Sequence, residues 1–181
     1  LPSLITLVSE TGPPELVDTG KSIDTAKFDQ FLLEHWEFPG EFSILEFFAR
    51  TLMQIYATQL PDGLDCPWCN QSPQVGCLRS LGDGQALDLV CALCCRRHAF
   101  IRGKCPACEE TEQSKLVTFT TPEFEQLRVK ACDSCRGYFL VVDLEKDPRA
   151  IPEVDEMVGI PLDLWAVDAG YMKLRANIVG I

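Results

Sequence analysis

Eight of the ten cysteines fall into four Cys-x-x-Cys pairs, Cys66/Cys69, Cys91/Cys94, Cys105/Cys108 and Cys132/Cys135. Two thiolates three residues apart on a tight turn face one point, and two such turns joined by an antiparallel hairpin offer four sulfurs in a tetrahedron. The intervals pair the first turn with the second and the third with the fourth, since 21 residues separate Cys69 from Cys91 and 23 separate Cys108 from Cys132. Each half opens with Cys-Pro-x-Cys and closes with Cys-x-x-Cys running into an apolar strand, His98–Ile101 in one and Tyr138–Val142 in the other. The opening cysteines are offset by 39 residues and the closing ones by 41, which reads as a duplicated metal ribbon.

Disulfides are the competing explanation, but four separate i, i+3 pairs without a secretory signal fit metal turns better than a secreted framework. Cys77 and Cys95 remain outside the series. Cys77 sits on an expected strand, Gln74 to Arg79, and is most simply a small buried hydrophobe. Cys95 abuts a ligand turn, where it is either an inert neighbour or a reactive or alternative ligand.

The 181 residues carry 27 acidic and 16 basic side chains, a formal net charge of -11. Four thiolates around a divalent cation make each site about -2, so metal loading deepens the negative field. Such a field repels phosphate backbones, and nucleic acid is not an expected partner. The one compact basic cluster, Arg96, Arg97, Arg102 and Lys104, reads as counter-charge to the metal-thiolate turns. No apolar run approaches the roughly 18 residues that a membrane span needs, and no membrane insertion is expected. The opening Leu1-Pro2-Ser3-Leu4-Ile5 lacks a signal-peptide pattern, so a cytoplasmic location is expected. The missing initiator Met suggests a shortened front end, and the sequence leaves a homo-oligomer open.

The fold class expected is α+β, with an N-terminal helical region, two tandem rubredoxin-like or zinc-ribbon metal modules, and a short C-terminal helical segment. The boundaries are a helical region over 1–61, modules over 62–103 and 104–150, and a docking segment over 151–181. In the first region, Phe28, Phe31, Leu32 and His35 make a helical stripe after a start near Ser22 or Asp24. A second helix follows the capping box Ser43/Glu46, with Ile44, Phe47, Phe48, Thr51, Leu52, Ile55, Tyr56 and Gln59 on its expected apolar face. Pro39-Gly40 makes the pair a hairpin. His35 is assigned no chemical role. From Leu64 the period becomes two: Gln74–Arg79 and Gln85–Val90 around Gly82-Asp83-Gly84, then Lys115–Thr120 and Phe124–Lys130 around Thr121-Pro122. The second hairpin is expected to enclose a very small core, so that metal supplies most of its folding free energy. Pro161 starts a last short helix that stops at Gly170. No phosphate loop, Ser/His/Asp arrangement or His-Glu-x-x-His motif appears, and no catalysis is expected.

The series Cys66-Pro67-x-Cys69, Cys91-x-x-Cys94, Arg102-x-Lys104-Cys105-x-x-Cys108 and Cys132-x-x-Cys135-x-x-Tyr138, then Glu145-Lys146-Asp147-Pro148, Gly170-Tyr171 and Asn177, resembles the FdhE-type formate dehydrogenase accessory proteins. The likeness covers about Leu64 to Asn177. It implies a cytoplasmic, non-catalytic maturation factor that binds the catalytic subunit of respiratory formate dehydrogenase before export. It also implies that the eight cysteines hold two metal ions per chain, four sulfurs each, with iron favoured by the resemblance and zinc compatible with the ligand set. The alternative is a rubredoxin-like iron protein that passes electrons to its client's redox centres. Arg136, where relatives often have Gly, and His98, where they often have Trp, depart from the family pattern and bear on redox tuning.

Overall fold

The computed structural model describes residues 1–37, 44–57, 66 and 72–177, of which 35–37, 56 and 57 are described by their backbone alone. The chain divides into two compact units, Leu1–Pro61 and, apart from residue 180, the remainder from Asp62.

The first unit is helical: α1 (Pro2–Thr11), α2 (Pro14–Ser22), α3 (Thr25–Glu37) and α4 (Ile44–Ala57). Proline at the start of α1 and α2 costs no intrahelical bond, because first-turn N–H groups have no partner there. Asp24 caps α3, its Oδ1 accepting the Ala26 N–H at 3.1 Å, as the sequence led us to expect. Ser43 and the Pro39-Gly40 turn lie outside the described residues. The buried stripe of α4 differs from the expected one. Glu46, Ala49, Arg50 and Met53, at i, i+3, i+4 and i+7, are buried together with Phe48, whereas Ile44 and Ile55 are exposed. A Glu and an Arg four residues apart can enter a buried face only when their charges are compensated, which a hydrophobicity pattern does not register.

The second unit is a seven-stranded sheet with two helices: β1 (Pro73–Leu81), β2 (Gly84–Cys91), β3 (Arg97–Phe100), β4 (Leu116–Thr120), β5 (Leu127–Cys132), β6 (Gly137–Asp143), α5 (Pro152–Val158), α6 (Ile160–Asp168) and β7 (Met172–Lys173). Each cysteine repeat supplies a three-stranded antiparallel meander. The strand order β3-β2-β1-β6-β5-β4 sets the first strand of one repeat beside the last strand of the other. These two run parallel, with Val75 opposite Leu140 and Leu78 opposite Asp143. β7 extends the pairing at the start of β6.

The repeats therefore do not enclose two very small cores. Val75, Cys77, Val90, Leu127, Val129, Ala131, Tyr138, Leu140 and Val142 form one buried cluster under Ala166 of α6 and Tyr171. All seven residues of β6 are buried, because neighbours flank it on both sides and side chains cover both faces. A five-residue apolar run such as Tyr138–Val142 is what a doubly covered strand carries. On the opposite face, Leu78, Leu87, Leu89, Phe139 and Val141 make a second cluster. A register shift between Pro73 and Val75 interrupts the β1 alternation around Gln74, whose Nε2 donates to Glu156 of α5 at 3.4 Å. α6 begins with Pro161 in its first turn and ends before Gly170, whose φ of 82° suits glycine.

Candidate metal centres

The cysteine turns follow from the meanders. Cys91 ends β2 opposite Pro73 at the start of β1, and Cys132 ends β5 opposite Leu116 at the start of β4. The second strand of each repeat thus delivers its closing turn back to the point where the first strand began. β4 runs parallel to β1 through the chain of pairings, so both turn clusters lie at one end of the sheet. Three strand spacings separate β1 from β4, on the order of 14 Å.

In the second repeat, Cys105, Cys108, Cys132 and Cys135 converge, with all four sulfurs within 4.8 Å of one another. Cys105 Sγ lies 3.8 Å from Cys135 Sγ, and Cys108 Sγ lies 3.7 Å from Cys132 Sγ. Sulfurs at about 2.3 Å from a tetrahedral ion stand about 3.8 Å apart, so these edges fit one cation and are far too long for disulfides. In the first repeat, Cys66, Cys91 and Cys94 converge within the same limit, and Cys66 Sγ is 3.1 Å from Cys94 Sγ. Cys69 lies outside the described residues. No described cysteine is oxidised to a disulfide.

The turns share a backbone device. Cys95 N–H donates to Cys91 O at 3.1 Å and Cys91 N–H to Arg96 O at 3.0 Å; Glu109 N–H donates to Cys105 O at 3.0 Å and Cys105 N–H to Glu110 O at 2.9 Å. The residue after the second cysteine enters the left-handed region in three turns, at Cys95 (φ 55°), Glu109 (φ 61°) and Arg136 (φ 59°). Glycine is at ease there, and a non-glycine residue pays about 1–2 kcal/mol. Arg136 offsets this with contacts. Its guanidinium donates to the Ala169 and Gly170 carbonyls at 2.8 and 3.2 Å, pairs with Asp133 at 3.0 Å and lies 3.8 Å over the Tyr171 ring. The Gly-to-Arg departure ties the last cysteine turn to the end of α6, where a cation favours the exposed carbonyls.

Electrostatics differ among the four sulfurs of the second cluster. Burial pushes the Cys105 thiol up, and pushes Cys135 up to about 12. The backbone N–H of Glu110 holds the exposed Cys108 down. A cation that favours thiolate acts against this burial. Glu110 itself titrates at about 2, chiefly because Ser134 Oγ donates to its carboxylate at 2.6 Å, which links the two turns without using sulfur. Backbone N–H groups also reach the sulfurs, from Leu93 to Cys91 Sγ and from Gly137 to Cys135 Sγ, each at 3.4 Å.

Three members of the basic cluster make contacts other than to sulfur. Arg97 lies 3.9 Å from Glu153, Arg102 donates to the Gln85 carbonyl at 3.1 Å, and Lys104 pairs with Glu109 at 2.5 Å. Cys77 is fully buried, and its thiol is pushed up by burial. Cys95 is half-buried against the core rather than grouped with the convergent sulfurs. Sequence reasoning missed a buried triad in which Lys173 of β7 contacts Glu156 of α5 and Asp163 of α6, the latter at 2.7 Å. No local pattern joins residues so far apart in the chain.

Among the described residues, no helix is long and apolar enough to cross a membrane. The family model of the FdhE C-terminal domain matches residues 103–179. A "Protein FdhE homolog" of Aquifex aeolicus is 26% identical over 98% of this chain and 68% of its own length. A homolog of the same name from Cronobacter sakazakii is 31% identical over 62% of this chain, and that stretch is 36% of its length. The chain thus spans about two thirds of the first relative and well under half of the second. The crystal structure of the FdhE protein from Pseudomonas aeruginosa shares the fold, with a TM-score of 0.75 at 22% identity over 96% of this chain and 67% of the other. Residues 103–179 thus match the FdhE C-terminal domain, and the chain as a whole resembles the FdhE-type proteins, as its cysteine series led us to expect.

Proposed function

We propose that this chain is a cytoplasmic, non-catalytic accessory protein in the maturation of respiratory formate dehydrogenase, and that it binds the catalytic subunit of that enzyme. The observation that carries this reading is the FdhE C-terminal domain joined to a four-sulfur cluster of tetrahedral dimensions. Cys66, Cys69, Cys91 and Cys94 hold one ion within a module over 62–103. Cys105, Cys108, Cys132 and Cys135 hold the other within a module over 104–150. Iron is favoured by the resemblance, and zinc fits the same sulfurs. Bound metal fixes the turns, while the protein presents a rigid sheet end to its client. Co-purification of the chain with a formate dehydrogenase catalytic subunit, and loss of that enzyme's activation in its absence, test the role. Loss of one metal equivalent in Cys105→Ser and of the other in Cys66→Ser tests the ligand grouping. Absence of both a complex with that subunit and any effect on its activation defeats the functional reading.

A second reading is favoured by the placement of both clusters at one sheet end, roughly three strand spacings apart. If both sites hold iron, the pair can pass single electrons to a client. A colourless zinc protein that supports full maturation removes this reading and leaves the first intact.

A further inference from the structure

A cleft of about 460 Å³ opens on the sheet face opposite α5 and α6, with Cys105 and Cys132 of the second cysteine cluster in its wall. Its apolar surface comes from Leu87 of β2, Phe139 of β6 and Leu174. Arg102, Lys104 and Lys130 bring three cations to it. Three basic groups around one cleft need an explanation in a chain of net charge -11.

Several other cations of this unit meet carboxylates. Arg79 pairs with Asp88, Arg128 with Asp143, and the buried Lys173 with both Glu156 and Asp163. Lys130 is different. Its ammonium donates to Thr118 Oγ1 at 3.4 Å, and among the described residues no carboxylate pairs with it or with Arg102. Half-buried, it faces the like charges of Arg102 and Arg128. Holding cations together in a partly desolvated cleft is unfavourable, and an anion offsets that cost. Cys105 and Cys132 line the same cleft, and their thiolates offset part of this positive charge through space, but the hydrogen bonds of Arg102 and Lys130 go to Gln85 O and Thr118 Oγ1, so no sulfur occupies their donors.

We propose that this cleft binds a small organic oxyanion, a carboxylate or a phosphate carried on an apolar body. The oxyanion sits between Arg102 and Lys130, and the body rests on Leu87, Phe139 and Leu174. The volume suits a small ligand, and cations over an apolar floor select an amphipathic anion over a bare one. Lys104 contributes less, since Glu109 already shares its charge. The site does not depend on the function proposed above, and it fails or stands whether or not a client binds.

The test is calorimetric titration of the full chain with inorganic phosphate, phenyl phosphate, benzoate and a hexaglutamate peptide. Phenyl phosphate or benzoate should bind at least about tenfold more tightly than inorganic phosphate, and whichever is tighter identifies the oxyanion. Lys130→Met and Arg102→Gln should each weaken that binding by about tenfold or more, with metal content and circular dichroism unchanged. Three outcomes overturn the proposal: no binding of either organic anion at millimolar concentration, binding untouched by both substitutions, or tighter binding of hexaglutamate, which marks an acidic-peptide surface instead.

Discussion

Lys173→Met should be the most damaging single substitution of an ion-pairing side chain in the sheet unit, with a penalty that depends on pH. Lys173 is only 7% exposed, and the Glu156 and Asp163 side chains it contacts are fully buried. Burial raises both carboxyl pKa values, and the Lys173 ammonium pulls them back. Methionine keeps the length of the side chain and deletes the charge, leaving two buried carboxylates without their cation. Breaking a buried pair this way costs about 3–5 kcal/mol. Protonation sets the ceiling: holding one carboxyl neutral at pH 7, against an unfolded pKa near 4, costs about 1.4 kcal/mol per unit, or roughly 4 kcal/mol. The sign follows. A native pKa above the unfolded one means that the folded state binds more protons, so stability is greatest below pH 4 and falls as pH rises through the native pKa. The variant should therefore lie about 3–5 kcal/mol below the parent at pH 7 and recover up to about 1.4 kcal/mol per unit between pH 7 and 5. Urea denaturation of both proteins at pH 5, 6 and 7, followed by tryptophan fluorescence, measures the difference. Adding Glu156→Gln to the variant should restore part of the loss at pH 7. A deficit below about 1 kcal/mol at pH 7, or one that does not change with pH, refutes the reasoning.

Three further outcomes follow from the packing. Cys77→Val should stay within about 1.5 kcal/mol of the parent by urea denaturation, while Cys77→Ser buries a hydroxyl without a partner and should cost about 1–3 kcal/mol. In Gly159→Ala the new Cβ meets Leu140 Cδ1 at 2.5 Å and the Glu156 carbonyl at 3.0 Å, so a loss of about 1–3 kcal/mol is expected from the same assay. At position 109 (φ 61°), Glu109→Gly should be about 1 kcal/mol more stable than Glu109→Ala, both lacking the exposed pair with Lys104, in thermal unfolding.

What the sequence disclosed was what short-range geometry encodes. A Cys-x-x-Cys turn is specified within four residues, and the hairpin that joins two of them is visible as period-two alternation. Cys91 and Cys132 thus fell where expected, each closing a second strand. The parallel β1–β6 contact that fuses the repeats was not legible, because it joins segments some 65 residues apart through a register no local pattern fixes. Its one trace was the unalternating run Tyr138–Val142, read only as a closing strand. α5 went unrecognised because seven residues are too few to display helical periodicity. The Lys173 triad and the burial of Glu46 and Arg50 show the complementary limit: polarity patterns place charges outside, and tertiary pairing brings some of them in.

Fusion of the repeats also changes what metal is needed for. An isolated ribbon has too little core to fold without its ion, which makes the metal's binding energy its folding energy. Here β1, β2, β5 and β6 share eleven buried residues with α6 and Tyr171, and Ser134 and Glu110 tie two cysteine turns together without sulfur. Removing a cation from the second cluster then destabilises the turns around Cys105–Cys108 and Cys132–Cys135, but leaves the β5–β6–β1 core its own packing. Where the clusters hold metal as proposed, chelation should release it while far-UV circular dichroism keeps its strand signal, and hydrogen exchange should quicken in the cysteine turns well before it quickens in β6. Cooperative loss of the whole sheet with the metal would mean that the shared core is too weak to stand alone, and that the two sites govern folding after all.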